Sequence, residues 1–476
     1  MKLPFSNCKF LIAKKNINRI EEVKKFEGSG FGCSVYGFLD GLFIFLQKVV
    51  SKAVKDQKKI SALLKRLEES GLNDLILQQL TGLNQKSDIS PKGFIAMLTL
   101  IHDVTFAEFS SFSRKIYQEG ILRVLCSLIK ESQLLAVQEW PVSYGGGAPC
   151  VNLLISQLFR IFNLPYTLLN NEKEIEAINK IFSNSEIVSS TIGAFRHLQK
   201  ENIGIGIIFL SRLIMGSDED KKFVQQFVEA GGFTLIRKNN LLSSDQKDQT
   251  LIEVLNIVSQ LARLSKAYYE GIHQLNCYKD LQVLMKHPEA NIRAKACNFI
   301  GNICRHSEYF YEVLLKNDLI KAAIEACNDE DKNVRKFACF AVGNAGFHND
   351  RLYESLRPSV PLLVQLLKDP EEKTRANAAG ALGNFVRNSN ALTKDLIRHG
   401  ALVQLLDVVA TDNAVGNSPR RIALFSIGNL CAYPECRKIF EELNIRPLLE
   451  QFKAPNYKDN QVIKYAARII QKLSGN

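Results

Sequence analysis

From about Tyr36 onward, apolar residues return every three to four positions, the spacing of one face of an α-helix, and strand-like alternation is rare. Leu39, Leu42, Phe43, Leu46 and Val50 mark one such face; Leu72, Leu75, Ile76, Gln79 and Leu80 mark another. Ser90-Pro91 predicts a helix start, because Ser caps and Pro fits the first helical position. Polar breaks at 84–87, 170–174 and 243–248 separate helix pairs, and the longest break, Trp140–Pro149, holds Gly145-Gly146-Gly147. The chain therefore reads as all-α, with helices joined by short turns.

A second pattern is laid over the first. Arg293, Arg335, Arg375 and Arg420 each stand eight residues before a Gly-Asn pair, at Gly301-Asn302, Gly343-Asn344, Gly383-Asn384 and Gly428-Asn429. Ala296, Ala338, Ala378 and Ala423 stand five before the Gly. The copies follow one another after 42, 40 and 45 residues. This is the period of armadillo and HEAT units, so the expected fold is an armadillo/HEAT-type right-handed superhelical solenoid. Within one unit, 308–315, 318–326 and 334–347 read as three helices with an acidic turn at 328–332; 351–356, 361–367 and 375–387 repeat the plan. Residues 259–265 match 301–307 as a drifted copy, and Lys464–Ala467 opens a closing helix with no Gly-Asn pair. The expected organisation is a basic extension over 1–35, irregular helical repeats over 36–275, and regular armadillo repeats with a capping helix over 276–476.

Charge changes the picture only at the N-terminus. The 476 residues carry 61 basic and 49 acidic side chains, a net +12, and +7 of it falls in residues 1–60. Such an end is either a solvated tail or a contact for an acidic surface such as tubulin's. No aromatic ladder accompanies it, so nucleic acid is not an expected partner. The most apolar run, 38–50, carries Asp40 and Gln47 and is too short to span a bilayer, so membrane insertion is not expected either. The eleven Cys include no CxxC pair, and Cys297, Cys304, Cys327 and Cys339 fall where a small apolar filler suits a repeat helix.

No constellation for catalysis emerges. Gly28-Ser29-Gly30-Phe31-Gly32 looks like a kinase glycine loop, but its third Gly is one residue early, and no VAIK-like Lys, HRD or DFG follows. Gly145–Gly147 lacks the GK[ST] of a phosphate cradle. The acidic turns around Asp329–Asp331 and Asp369–Glu372 suit helix N-termini. The chain is read as a non-enzyme with no cofactor and no metal.

The third helix of each unit supplies the candidate binding face. Positions four and seven before each Asn share its side of the helix. They bring together Lys295, Asn298, Asn302 and Arg305; Phe337, Phe340, Asn344 and Phe347; Asn377, Gly380, Asn384 and Arg387; and Ile422, Phe425 and Asn429. On the concave side these make a ladder of amides flanked by basic and aromatic groups. Asn amides can pair with the backbone of an extended peptide, and basic neighbours favour an acidic one. Equally, each Asn can pin the adjacent helix. The four Arg residues lie about half a turn away and are expected to bridge to acidic turns of the next unit.

Residues 335–390 (RKFACFAVGNAGFHNDRLYESLRPSVPLLVQLLKDPEEKTRANAAGALGNFVRNSN), with 291–311 and 418–430, resemble the C-terminal armadillo-type region of Fused-family serine/threonine kinases; 34–42 and 139–147 agree further upstream. The resemblance implies a scaffolding and regulatory module without the kinase domain. It further implies kinesin-like, microtubule-associated or signalling partners, and a cytoplasmic site at the cilium or axoneme, in particular the central pair, or at the cytoskeleton. The alternative is the regulatory part of a Fused-type kinase whose catalytic domain lies on no residue of this chain. A third reading, an importin-like adaptor, calls for a Trp four residues before each Asn, where Asn298, Phe340, Gly380 and Phe425 stand instead.

Overall fold

The computed structural model describes residues 38–82, 89–216, 221–411, 418–454 and 457–474; the basic extension over 1–35 and the glycine loop at 28–32 lie outside them. All regular structure among these residues is helical. The chain forms two compact units, dividing between Leu235 and Ile236. The loss of motif regularity before residue 276 is thus a change of sequence within the second unit rather than its edge.

In the first unit four longer helices pack in chain order, each on the next: α1 (Phe38–Ala53), α2 (Pro91–Ala107), α3 (Ala148–Leu168) and α4 (Ile203–Met215). Phe43 and Val50 of α1 are buried, as their spacing predicts. Ser90 caps α2 by accepting from the Gly93 N–H, with Pro91 in the first turn. The Trp140–Pro149 break holds one short turn of 3-10 helix at Val142–Tyr144, and α3 starts at its end. Gly145 and Gly147 take φ of 95° and 83°, and Gly147 donates its N–H to Gln138, so this is a folded turn. Behind α3 and α4 the core is aromatic: Phe162, Phe182 and Phe209 lie 5.3–5.5 Å apart, centre to centre.

The second unit continues the scheme with greater regularity. α5 (Asp248–Leu264), α6 (Ala290–Ile303), α7 (Lys332–Ala345), α8 (Glu372–Asn384), α9 (Ser418–Leu430) and α10 (Asn460–Leu473) stack in series. These are the third helices of the repeats. Two shorter helices precede each, such as Tyr311–Lys316 and Leu319–Ala326 before α7. Their joint is one left-handed residue at Asn276, Asp318, Gly400 and Asn444, with φ between 50° and 71°; Asn, Asp and Gly tolerate that conformation best. The unit containing Pro358 and Pro361 turns through a 3-10 segment, Arg357–Ser359, instead.

The stack is close because the repeated small residues sit at the crossings. A Cβ on Gly343 would lie 3.3 Å from the Ala381 backbone, and one on Gly383 would lie 2.8 Å from the Ser426 backbone. Ala296, Ala338, Ala378 and Ala423 are fully buried. Cys297, Cys304, Cys327 and Cys339 are buried filler, as expected; burial pushes the Cys297 and Cys304 thiols up to about 12, which leaves them unreactive at neutral pH.

Candidate protein-binding face

The Arg of each motif turns away from the candidate face. Arg293 grips Asp329 through Nε and Nη2 at 2.8 and 2.9 Å, and Arg335 reaches Asp369 at 2.7 Å. Both Asp residues are turn acids of the following unit, as the half-turn offset predicts. The same guanidinium also ties down the chain ahead of its own helix: Arg293 donates to His287 and Pro288 carbonyls, Arg335 to Asp329 and Glu330, Arg375 to Asp369 and Pro370. Burial alone would raise the Asp329 pKa. Hydrogen bonds from Arg293 and the Asp331 N–H, with the Arg293 charge, outweigh it and hold the carboxyl below 3.8. The acidic turns are therefore structural clasps: Asp331 caps α7 through the Asn333 and Val334 N–H groups.

The Asn row forms a ladder of its own. Asn344 donates to the Gly301 carbonyl at 2.8 Å, Asn384 to Gly343 at 2.9 Å, and Asn429 to Gly383 at 3.2 Å. Each of these glycine carbonyls lies in the last turn of its helix, where the N–H four residues on (Arg305, Phe347, Arg387) donates to the Asn carbonyl instead, so the amide partners a carbonyl the helix leaves open. Asn302 meets a drifted copy and donates to the Ser259 hydroxyl, shared with Asn298. Asn377 donates to the Lys336 carbonyl. One N–H of each amide thus pins a neighbouring helix. Asn302, 3% exposed, is enclosed within the stack. Asn298, Asn344, Asn377, Asn384 and Asn429 are half-buried, so each keeps part of its amide at the surface.

The remaining candidates line up beside this row. Phe340 lays its ring where a Gly301 Cβ would be, so it packs as well as lines the face. Phe425 stacks edge-on against Tyr465 of α10 at 5.7 Å. Arg387 lies over the Phe347 ring at 4.2 Å, a cation–π contact that joins two successive units along the face. Arg305 and Arg387 are exposed, and Lys295 is half-buried. Desolvation lowers the Lys295 pKa, the Glu253 charge opposes this, and the Lys336 charge adds to it.

Two features escaped the sequence reading. Lys472 of α10 stands where the Asn would be and donates to the Gly428 carbonyl at 2.6 Å, so the capping helix keeps the pin with a different residue. Tyr269, Tyr311 and Tyr353 send their hydroxyls to the carbonyls of Asn302, Asn344 and Asn384, closing the C-termini of α6, α7 and α8. The same oxygens accept from the N–H of His306, His348 and Asn388. Their 42-residue spacing was a readable signal; what each touches was not.

Comparison with known proteins agrees with this architecture. Residues 320–414 match the HEAT repeats family. A serine/threonine-protein kinase, TIO, of Arabidopsis thaliana is 41% identical over 291 residues, covering 59% of this chain and 22% of the kinase. The chain therefore corresponds to about a fifth of that relative's length. The crystal structure of an engineered protein aligns with 92% of this chain and 99% of its own, with a TM-score of 0.69 at 14% identity. A designed armadillo repeat protein in complex with the peptide (KR)4 aligns over 49% of this chain and 97% of its own, with a TM-score of 0.45 at 22% identity. The chain is an armadillo/HEAT-type helical repeat protein, similar over more than half its length to part of a Fused-family serine/threonine kinase.

Proposed function

We propose that the chain is a non-catalytic scaffold that holds other proteins along the third-helix face of its second unit. The observation that carries this is the continuity of that face. Arg305, Phe347 and Arg387 follow one another at the same position of successive repeats, with Arg387 resting on Phe347. A surface continuous from repeat to repeat suits an extended segment of a partner. Beyond this, the Fused resemblance supports kinesin-like or microtubule-associated partners and a place at the cilium or axoneme central pair. The basic N-terminal segment suits an acidic surface such as tubulin's. The test uses the full chain as bait, beside Arg305→Ala/Phe347→Ala/Arg387→Ala. Kinesin-family proteins and tubulin identified by mass spectrometry should be recovered by the former and reduced at least fivefold with the latter. Equal recovery by both removes the face from the account.

The identity to a kinase over a fifth of that kinase's length favours a second reading, a regulatory region serving a Fused-type catalytic domain. Saturable binding of the chain to such a domain, with a change in its phosphorylation rate, is the expected result. No binding in the micromolar range rejects it.

A further inference from the structure

Charge in the second unit is segregated by helix type. The five third helices α6 to α10 carry twelve Lys or Arg and a single acid, Glu372. The first and second helices of the same repeats carry eight Lys or Arg and eleven Asp or Glu. The excess of positive charge therefore belongs to one kind of helix. Part of it is neutralised within the fold, since Arg293, Arg335 and Arg421 face Asp329, Asp369 and Asp459. Arg375 and Arg420 turn away from the Asn row as well. What stands beside the row is Lys295, Lys336 and Arg468 of these helices together with Arg305 and Arg387, which lie outside that count. Lys295 and Lys336 stand toward the helix N-termini, Arg305 and Arg387 just past the C-termini, and Arg468 on the capping helix. Desolvation disfavours the Lys295 charge, the Glu253 charge opposes this, and the Lys336 charge is near enough to add to it. A fold does not gain by placing like charges side by side, whereas a bound counter-charge relieves them.

We infer that this face takes an extended acidic segment of a partner protein, its backbone against the half-exposed amides of Asn344, Asn384 and Asn429 and its carboxylates against Lys295, Lys336, Arg305 and Arg387. The inference rests on the reading of the third-helix face as a binding face and adds the chemistry of the occupant. A polypeptide fits better than a nucleic acid strand. The amides supply paired donors and acceptors for peptide groups. The rings on the face are already engaged, Phe340 against Gly301, Phe347 under Arg387 and Phe425 against Tyr465, and so are not free platforms for bases.

The experiment measures fluorescence anisotropy of the full chain with a labelled (Glu-Asp)4 peptide, against (Lys-Arg)4 and a ten-nucleotide oligouridine. The acidic peptide should bind most tightly and weaken about tenfold between low and high salt. Arg305→Glu/Arg387→Glu should weaken it at least tenfold. Both side chains are exposed, so the fold should survive, checked by an unchanged melting curve. Lys394→Glu/Arg398→Glu, the same charge change on the helix Thr393–Arg398 outside the face, should weaken it less than twofold. The inference is overturned by tighter binding of the basic peptide or the oligouridine, by no binding of the acidic peptide, or by equal losses in the two variants. A chain that ignores the acidic peptide yet loses its partners with Arg305→Ala/Phe347→Ala/Arg387→Ala rejects this chemistry and leaves the binding face standing.

Discussion

The two units join consecutive long helices in different ways. In the first unit each junction is unique. Asp40 of α1 accepts from both the N–H and the hydroxyl of Ser90 at the start of α2. Asn152 of α3 accepts from the Gln199 N–H and Asn202, ahead of α4. Asn163 bridges the Phe159 and Ile205 carbonyls. In the second unit two devices recur: an Arg clasped to the next turn, and an amide on the previous glycine carbonyl. A recurring hydrogen bond needs a recurring residue at a recurring distance, and that is what a sequence motif is. Unique junctions leave no such trace, although they too tie helix to helix. Regularity of sequence therefore reports repetition of contacts, not strength of packing.

Breaking a clasp is the largest expected effect. Asp369 has a side chain 3% exposed and paired to Arg335, so Asp369→Ala leaves a cation with no carboxylate. We expect a loss of about 3 kcal/mol in urea unfolding, with faster hydrogen exchange in α7 and α8. Next is crowding at a crossing. Gly383→Leu meets the Ser426 backbone and should cost roughly 1–3 kcal/mol; an unchanged urea midpoint would show that the α8–α9 junction yields.

Acid separates the units by sign. Asp329 and Asp459 are held below their usual pKa, so their contribution is present above pH 3.8 and is lost as pH falls below it toward their folded values. Asp40 behaves in the opposite sense. Desolvation by burial raises it, against the Ser90 hydrogen bonds, so its ionisation opposes folding at neutral pH and relaxes as acid protonates it. Urea midpoints of Asp329→Asn and Asp40→Asn at pH 7 and pH 3 test this. The deficit of the first variant relative to wild type should shrink at pH 3, whereas the second should gain relative to wild type on going from pH 3 to pH 7. The smallest effect is Gly41→Ala in α1, where a Cβ meets nothing within 4 Å. It should raise stability by about 0.5–1 kcal/mol, read from the thermal midpoint.

The Arg, Ala, Gly and Asn register is written in the chain because each residue answers a local demand that recurs between repeats. Small residues are needed where helices cross, and a long cation half a turn away reaches the next acidic turn from Arg293 and Arg335, whereas Arg420 meets the Val409 carbonyl and the Tyr457 hydroxyl and Asp459 is held by Arg421. The helical class and the period follow from the same spacing. Other contacts depend on which backbone groups the stacking brings together. Tyr311 finds the Asn344 carbonyl 33 residues onward, and Lys472 takes the place of an asparagine because its amine reaches the Gly428 carbonyl. The buried position of Asn302, against the half-open Asn344 and Asn384, was likewise settled by Ser259 lying opposite. Pattern in sequence records what one helix needs; only packing decides which neighbour supplies it, because donors and acceptors far apart along the chain meet once the helices are in contact.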